Sequence, residues 1–124
     1  MRGRLKVFFD GGCRPNPGRM ELAVVAAGRT TIVPDAGHGT SADAEWLALI
    51  EALTVARSLG VEGFVLLGDS ADVVAKANGA ARCRGDALRH LERFRALADG
   101  PVRVRHVGRA QNLAGIALAG LHSR

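Results

Sequence analysis

The chain has 124 residues, 48% hydrophobic and 23% charged, an ordinary globular composition with room for one core rather than two, so residues 1–124 are expected to form a single domain. No run of about 18 apolar residues is present to span a membrane, and the apolar stretch Val7-Phe8-Phe9 behind the basic start is too short for a secretory signal. Cys13 and Cys83 give neither a disulfide framework nor zinc-site spacing, so free thiols in a reducing, cytoplasmic setting are expected. Net charge is +5, and nine basic residues fall between Lys76 and Arg109 against three acids, leaving the rest of the chain slightly acidic. Such a concentration of guanidinium groups points to a polyanion partner. Arg-rich codon usage explains the choice of Arg over Lys, but not its clustering.

In chain order, residues 5–9 form a predicted strand that is apolar on both faces by its end, as the centre of a sheet requires. Residues 11–18, dense in Gly and Pro, read as a loop. Residues 22–27 and 30–33 read as strands with a hairpin turn at Gly28-Arg29, and residues 34–39 as loop. The clearest helix covers residues 41–59, with Ser41 or Asp43 placed to cap it and Gly60 to stop it. Trp46, Leu49, Ile50, Leu53 and Ala56 recur at helical spacing, and Ala44, Leu47, Ala48 and Ala52 make most of the circumference apolar, which predicts burial. Residues 64–67 are a buried parallel strand ending in Gly68-Asp69-Ser70. A short helix over 71–77 follows and stops at Asn78-Gly79. Residues 86–98 make an amphipathic helix, with Leu88, Leu91, Phe94 and Leu97 inward and Arg89 and Arg93 outward. Residues 102–107 are the last strand and 112–121 the last helix. This order predicts an α/β fold: a mixed sheet with helices on both faces.

Two predicted strands end in aspartate, Asp10 and Asp69. If the strands are parallel neighbours, both carboxylates reach the same end of the sheet, where α/β folds bind ligands. Glu45 sits near the start of the buried helix. Three converging carboxylates repel one another unless cations bind between them, and hard oxygen donors suit Mg²⁺ or Mn²⁺. Two such ions, about 3.5–4 Å apart, can activate water and stabilise the leaving oxygen of a phosphodiester. Taken singly, each acid has a plainer reading: Asp69 as a helix cap, Glu45 as a first-turn acid favoured by the helix dipole, Asp10 as a turn starter before Gly11-Gly12.

Four blocks resemble the type 1 ribonuclease H family in order and across most of the chain: FFDGGCRPNPG, TSADAEWLALIEAL, GDSADVVAKANG and VRVRHVGRAQNLAGIALAG. The resemblance implies a ribonuclease-H-like mixed five-stranded sheet flanked by helices on both faces. It also implies a metal-dependent endonuclease that cuts the RNA strand of RNA–DNA hybrids, leaving 3′-hydroxyl and 5′-phosphate ends. Asp10, Glu45 and Asp69 match three of the family's metal-binding carboxylates, with Asp10 expected to bridge two Mg²⁺ or Mn²⁺ ions. Gly11, Gly12, Cys13, Asn16, Ser41 and Ser70 fall at substrate-facing positions of the same motifs. Arg82, Arg84, Arg89 and Arg93 are candidate phosphate contacts, with a merely solvated helix face as the alternative. No obligate protein partner and no membrane attachment are expected.

The chain departs from the family at several positions. Ile116 stands where the fourth aspartate is usual, which implies one weakly held ion, a raised metal requirement and reduced turnover. A repacked last helix with Ile116 in the core is compatible with this, and Asp43 or Asp72 are candidate substitutes for the missing acid. Ser41, Ala42 and Ala71 replace amides that commonly read the 2′-hydroxyl. The loop at residues 108–111 lacks a histidine that some members carry, and the basic protrusion of longer members is absent. Asn112 is expected to cap the last helix, Trp46 to lie in the core, and His38, His90, His106 and His122 to sit at the surface or at edges. With no Tyr and four Phe, the chain has little aromatic surface for stacking single-stranded bases. The competing expectation is a catalytically impaired module that binds duplex nucleic acid through its arginines. A weaker one is a nuclease of the same fold acting on DNA or structured RNA.

Overall fold

The computed structural model describes residues 4–122. Its elements in chain order are β1 (Leu5–Cys13), β2 (Gly18–Ala26), β3 (Arg29–Val33), β4 (His38–Gly39), α1 (Ser41–Ser58), β5 (Phe64–Gly68), α2 (Ala71–Ala77), α3 (Gly85–Ala98), β6 (Arg103–His106) and α4 (Leu113–Gly120), with a 3₁₀ turn at Arg109–Gln111 before α4. The sheet runs β3-β2-β1-β5-β6, and the two-residue β4 pairs with the start of β2. β1 is antiparallel to β2 and parallel to β5, which is parallel to β6. This is the mixed sheet the pattern predicts.

Alternation along β1 divides its side chains between two layers. Val7 and Phe9 join Trp46, Leu49 and Leu53 of α1 in the main core. Phe8 faces the other way, into a smaller cluster with Ala23, Ala114 and Leu118 under α4. Helices therefore cover both faces. α1 is buried around most of its circumference because the sheet lies on one side and α3 on the other.

The structure revises several local expectations. The Gly-rich segment is not all loop: β1 continues through Gly11 and Gly12 to Cys13, paired with Leu22, Glu21 and Met20 of β2. A Cβ at Gly11 would lie 2.1 Å from the Ala44 carbonyl oxygen, so glycine here marks the close approach of α1 to the strand, not a turn. β2 accordingly starts at Gly18. The following hairpin turns at Ala27-Gly28, both with positive φ (52° and 74°), a combination whose twist suits two-residue hairpins. Thr40, not Ser41 or Asp43, caps α1: its hydroxyl accepts the Asp43 N–H, and the Asp43 carboxylate accepts the Thr40 N–H in return. α3 packs through buried Leu91, Phe94 and Ala98 and half-buried Ala87; Leu88 and Leu97 flank that stripe and are exposed.

Candidate active site

Extending the β1–β5 register, in which Phe8 lies beside Leu67, brings Asp10 next to Asp69 at the carboxyl ends of the parallel strands. Ser70 caps α2 by accepting the Val73 N–H, so Asp69 is not spent as the cap. Asp43 fills the first-turn role on α1, leaving Glu45 to turn toward the strands. Its carboxylate accepts the Gly11 N–H at 3.2 Å. Oxygens of Asp10, Glu45 and Asp69 all lie within 4.8 Å of one another.

The crowding shows in proton affinity. Asp10 is pushed up to about 6 by burial and by the Asp69 charge, against opposing pulls from the Gly11 N–H, the Arg109 guanidinium and Glu45. Glu45 is pushed up to about 8 by burial and then by the charges of Asp10 and Asp69. No Lys or Arg forms an ion pair with any of the three among the described residues. An all-oxygen, half-buried donor set of three mutually repelling carboxylates, with no Lys or Arg ion-paired to it among the described residues, fits a hard divalent cation.

Asn112 is fully buried and organises the cluster from behind. Its side-chain amide donates to Asp69 Oδ2 at 2.9 Å and to the Phe9 carbonyl at 3.0 Å, while its Oδ1 accepts the Ala114 N–H at 3.1 Å and caps α4. The cap was expected; the bond to the acid was not. At Gly115, on the first turn of α4, a Cβ would sit 3.5 Å from both Asp10 Oδ2 and Asp69 Oδ2, so the helix backbone closes over the pair.

The three acids open into a cleft of about 460 Å³, lined also by Gly11, Gly12, Glu21, Arg14, Arg109 and Ile116. Ile116 is 56% exposed on this wall and does not join the core. Asp43 and Asp72 do not replace it. Asp43 binds Thr40 and, at 2.9 Å, His90, whose ring stacks on buried Trp46; although burial opposes it, the His90 and Thr40 hydrogen bonds hold its carboxyl below the ordinary value. Asp72 pairs with Lys76 at 3.0 Å.

The remaining expected contacts divide. Gly11 and Gly12 line the cleft, whereas the Cys13 thiol is buried and donates to the carbonyls of Pro15 and Gly39. Asn16 is exposed, and its Oδ1 accepts the Ser41 N–H, tying the 14–17 turn to the head of α1. Arg82, Arg84, Arg89 and Arg93 are exposed outside the cleft, with Arg89 paired to Asp86. The arginines that do line it are Arg14, which sequence reasoning passed over as it did Glu21, and Arg109, which it counted in the basic cluster but did not name as a phosphate contact. His38, His106 and His122 are exposed, and His90 is half-buried.

The sequence profile of the family described as "Reverse transcriptase-like" matches residues 9–122. Ribonuclease HI of Halobacterium salinarum is 36% identical over 125 residues, covering 94% of this chain and 63% of that protein; the chain thus spans somewhat under two thirds of the length of its curated relative. The crystal structure of RNase H1 from that archaeon superposes with a TM-score of 0.80 at 35% identity, covering 94% of each chain. A structure of LC11-RNase H1 in complex with an RNA/DNA hybrid shares the fold at 22% identity and a TM-score of 0.78, over 93% of each chain.

Proposed function

Because the chain belongs to the reverse transcriptase-like family and has a ribonuclease-H-like fold, we propose that it is a divalent-metal-dependent endonuclease cutting the RNA strand of RNA–DNA hybrids. The observation that carries this reading is the meeting of three carboxylates from β1, α1 and the end of β5 within 4.8 Å, at the floor of an open cleft. Asp10, Glu45 and Asp69 would hold Mg²⁺ or Mn²⁺, which when bound supplies Lewis-acid activation of water and neutralises charge at the phosphodiester.

The protein's own groups prepare that site. The Gly11 N–H and the Asn112 amide fix the Glu45 and Asp69 carboxylates in place before anything binds. Arg14 and Arg109 on the cleft wall attract the phosphate backbone and hold it against the acidic floor. The exposed arginines 82, 84, 89 and 93 lie outside the cleft and suit more distant phosphates of a long duplex. Since α4 contributes Ile116 where the family usually has an acid, turnover is expected below that of a four-carboxylate relative. Residence in the cytoplasm belongs to the same reading, consistent with the free thiols Cys13 and Cys83.

The test is nicking of a labelled hybrid by the purified protein across a Mg²⁺ and Mn²⁺ titration, compared with duplex DNA and duplex RNA. Cleavage of the RNA strand of the hybrid alone, abolished by Asp10→Asn, is expected. No cleavage at any metal concentration would overturn the enzyme. One observation, Ile116 in the cleft wall, favours a binding module instead. Hybrid affinity that falls steeply with salt and is never accompanied by nicking would be its signature.

A further inference from the structure

The cleft contains a fourth acid that belongs to none of the motifs. Glu21 stands on β2 opposite Gly12 of β1, two positions along from the Asp10–Ala23 pair. Alternation puts Glu21 on the same face of the sheet as Asp10, as its diagonal cross-strand neighbour at about 7–8 Å, within reach of a long side chain. Gly12 carries no side chain to come between them; a Cβ there would sit 3.8 Å from Glu21 Oε1 and 3.4 Å from Leu118. Glu21 and Ile116 line the same cavity as the three acids.

His122, just beyond α4, holds this carboxylate. Its Nε2 lies 2.5 Å from Glu21 Oε1, and the Glu21 side chain is only 14% exposed. Oε2 has no partner among the described residues. One oxygen anchored by an imidazole and the other left without a hydrogen bond, on a residue that lines the cleft, is the arrangement of a ligating carboxylate fixed by an outer hydrogen bond. Glu21 lies outside the group of three whose oxygens crowd within 4.8 Å. Two ions about 3.5–4 Å apart need donors spread beyond so tight a group.

We propose that Glu21 is the fourth carboxylate of the divalent-metal site, supplied from β2 in place of the acid missing at Ile116, with His122 as its positioning residue. The proposal rests on the metal-dependent reading above, and the experiment separates the two. Mn²⁺ is titrated calorimetrically into the full chain without nucleic acid, for wild type, Asp10→Asn, Glu21→Gln, His122→Ala and the double variant Glu21→Gln/Ile116→Asp.

Wild type is expected to bind two ions of unequal affinity. Glu21→Gln should leave the tighter ion unchanged and weaken the second by about 10- to 100-fold, the range that loss of even an outer-shell partner brings. The double variant should recover the second ion, because an acid returns to the cleft from α4. His122→Ala, which keeps the carboxylate but frees it, should weaken the second ion alone, and it decides the matter if Glu21→Gln does not fold. If Glu21→Gln binds both ions as wild type does while Asp10→Asn loses them, Glu21 is only a tether for the end of α4 and the proposal falls, with the enzyme reading intact. If wild type binds no Mn²⁺, both fall together.

Discussion

Gly11→Ala tests how the strand and the helix share the catalytic floor. The added Cβ would lie 2.1 Å from the Ala44 carbonyl oxygen, 2.3 Å from its carbon and 2.8 Å from the Glu45 nitrogen. Overpacking a core costs about 1–3 kcal/mol when side chains can yield. Here every partner is backbone in α1, with no rotamer to change, so the cost belongs at the top of that range, about 3 kcal/mol. For a chain of this size that lowers Tm by about 10–15 °C. Gly120→Ala, in α4 where a Cβ would meet nothing within 4 Å, is the control and should not lower the melt, helix propensity raising it by at most a few degrees. The damage should also exceed the stability loss. Pushing α1 from β1 breaks the Gly11 N–H bond to Glu45 and shifts one carboxylate against the other two. A displacement of about 1 Å at a reacting centre costs on the order of 100-fold in rate, so hybrid cleavage at 25 °C should drop by that order while the protein is still folded. A Gly11→Ala protein that melts with wild type would refute the close-approach account of this glycine, and one that melts low yet cleaves normally would refute its link to Glu45.

Asn112→Ala removes the α4 cap, leaves the buried Phe9 carbonyl without its donor and releases Asp69; cap loss and an orphaned buried acceptor together predict about 3 kcal/mol in urea unfolding, and a loss near zero would contradict the bonding seen here. With chelator present, the raised proton affinities of Asp10 and Glu45 mean that the folded state holds protons the unfolded chain has released, so their contribution to stability falls as pH rises from about 4 and levels off above about 8. Saturating Mg²⁺ should remove most of that slope by taking the place of the protons, and Glu45→Gln should flatten its upper part; melts showing no such pH dependence in the metal-free protein would argue that the acids do not crowd as described.

What was legible in the sequence depended on how far each signal is local. Asp10 and Asp69 could be paired because both end apolar runs, and two parallel strands of known register place such residues side by side. α1 announced its burial through apolar residues around most of its circumference. Gly11 and Gly12 misled because composition equates glycine with turns, whereas the cause of Gly11 is a helix 33 residues away in sequence at its Ala44 carbonyl, and Gly12 faces Leu118 and Glu21. That single misreading hid Glu21. With β1 ended at Phe9 and β2 begun at Leu22, Glu21 had no partner across the ladder and no face to occupy. Once the pairing of Gly12 with Glu21 is known, its position follows from alternation alone. The Asn112 bonds to Asp69 and to Phe9 span 43 and 103 residues and leave no local pattern to find. The arginine cluster marked charge but not location: Arg109, at its far end, reaches the cleft together with Arg14 from outside the cluster, while Arg82, Arg84, Arg89 and Arg93 do not.

The donors that hold the acids explain why the site is poised for a cation and not neutralised by the protein itself. The groups bonded to Glu45 and Asp69 are a peptide N–H and a primary amide, which orient a carboxylate without setting a fixed positive charge against it. A lysine or arginine in either position would have fixed the same geometry and satisfied the charge, and the site would then have little attraction for a dication. Arg109 comes near enough to lower the proton affinity of Asp10 but forms no ion pair with it, so its guanidinium stays available on the cleft wall. Glu21 follows the same logic with one difference: its partner is an imidazole, which can orient the carboxylate as a neutral donor. The cleft therefore keeps its acids oriented and free of fixed counter-ions on the floor, with arginines along its wall. That segregation lets one surface attract a phosphate backbone and a divalent cation at once.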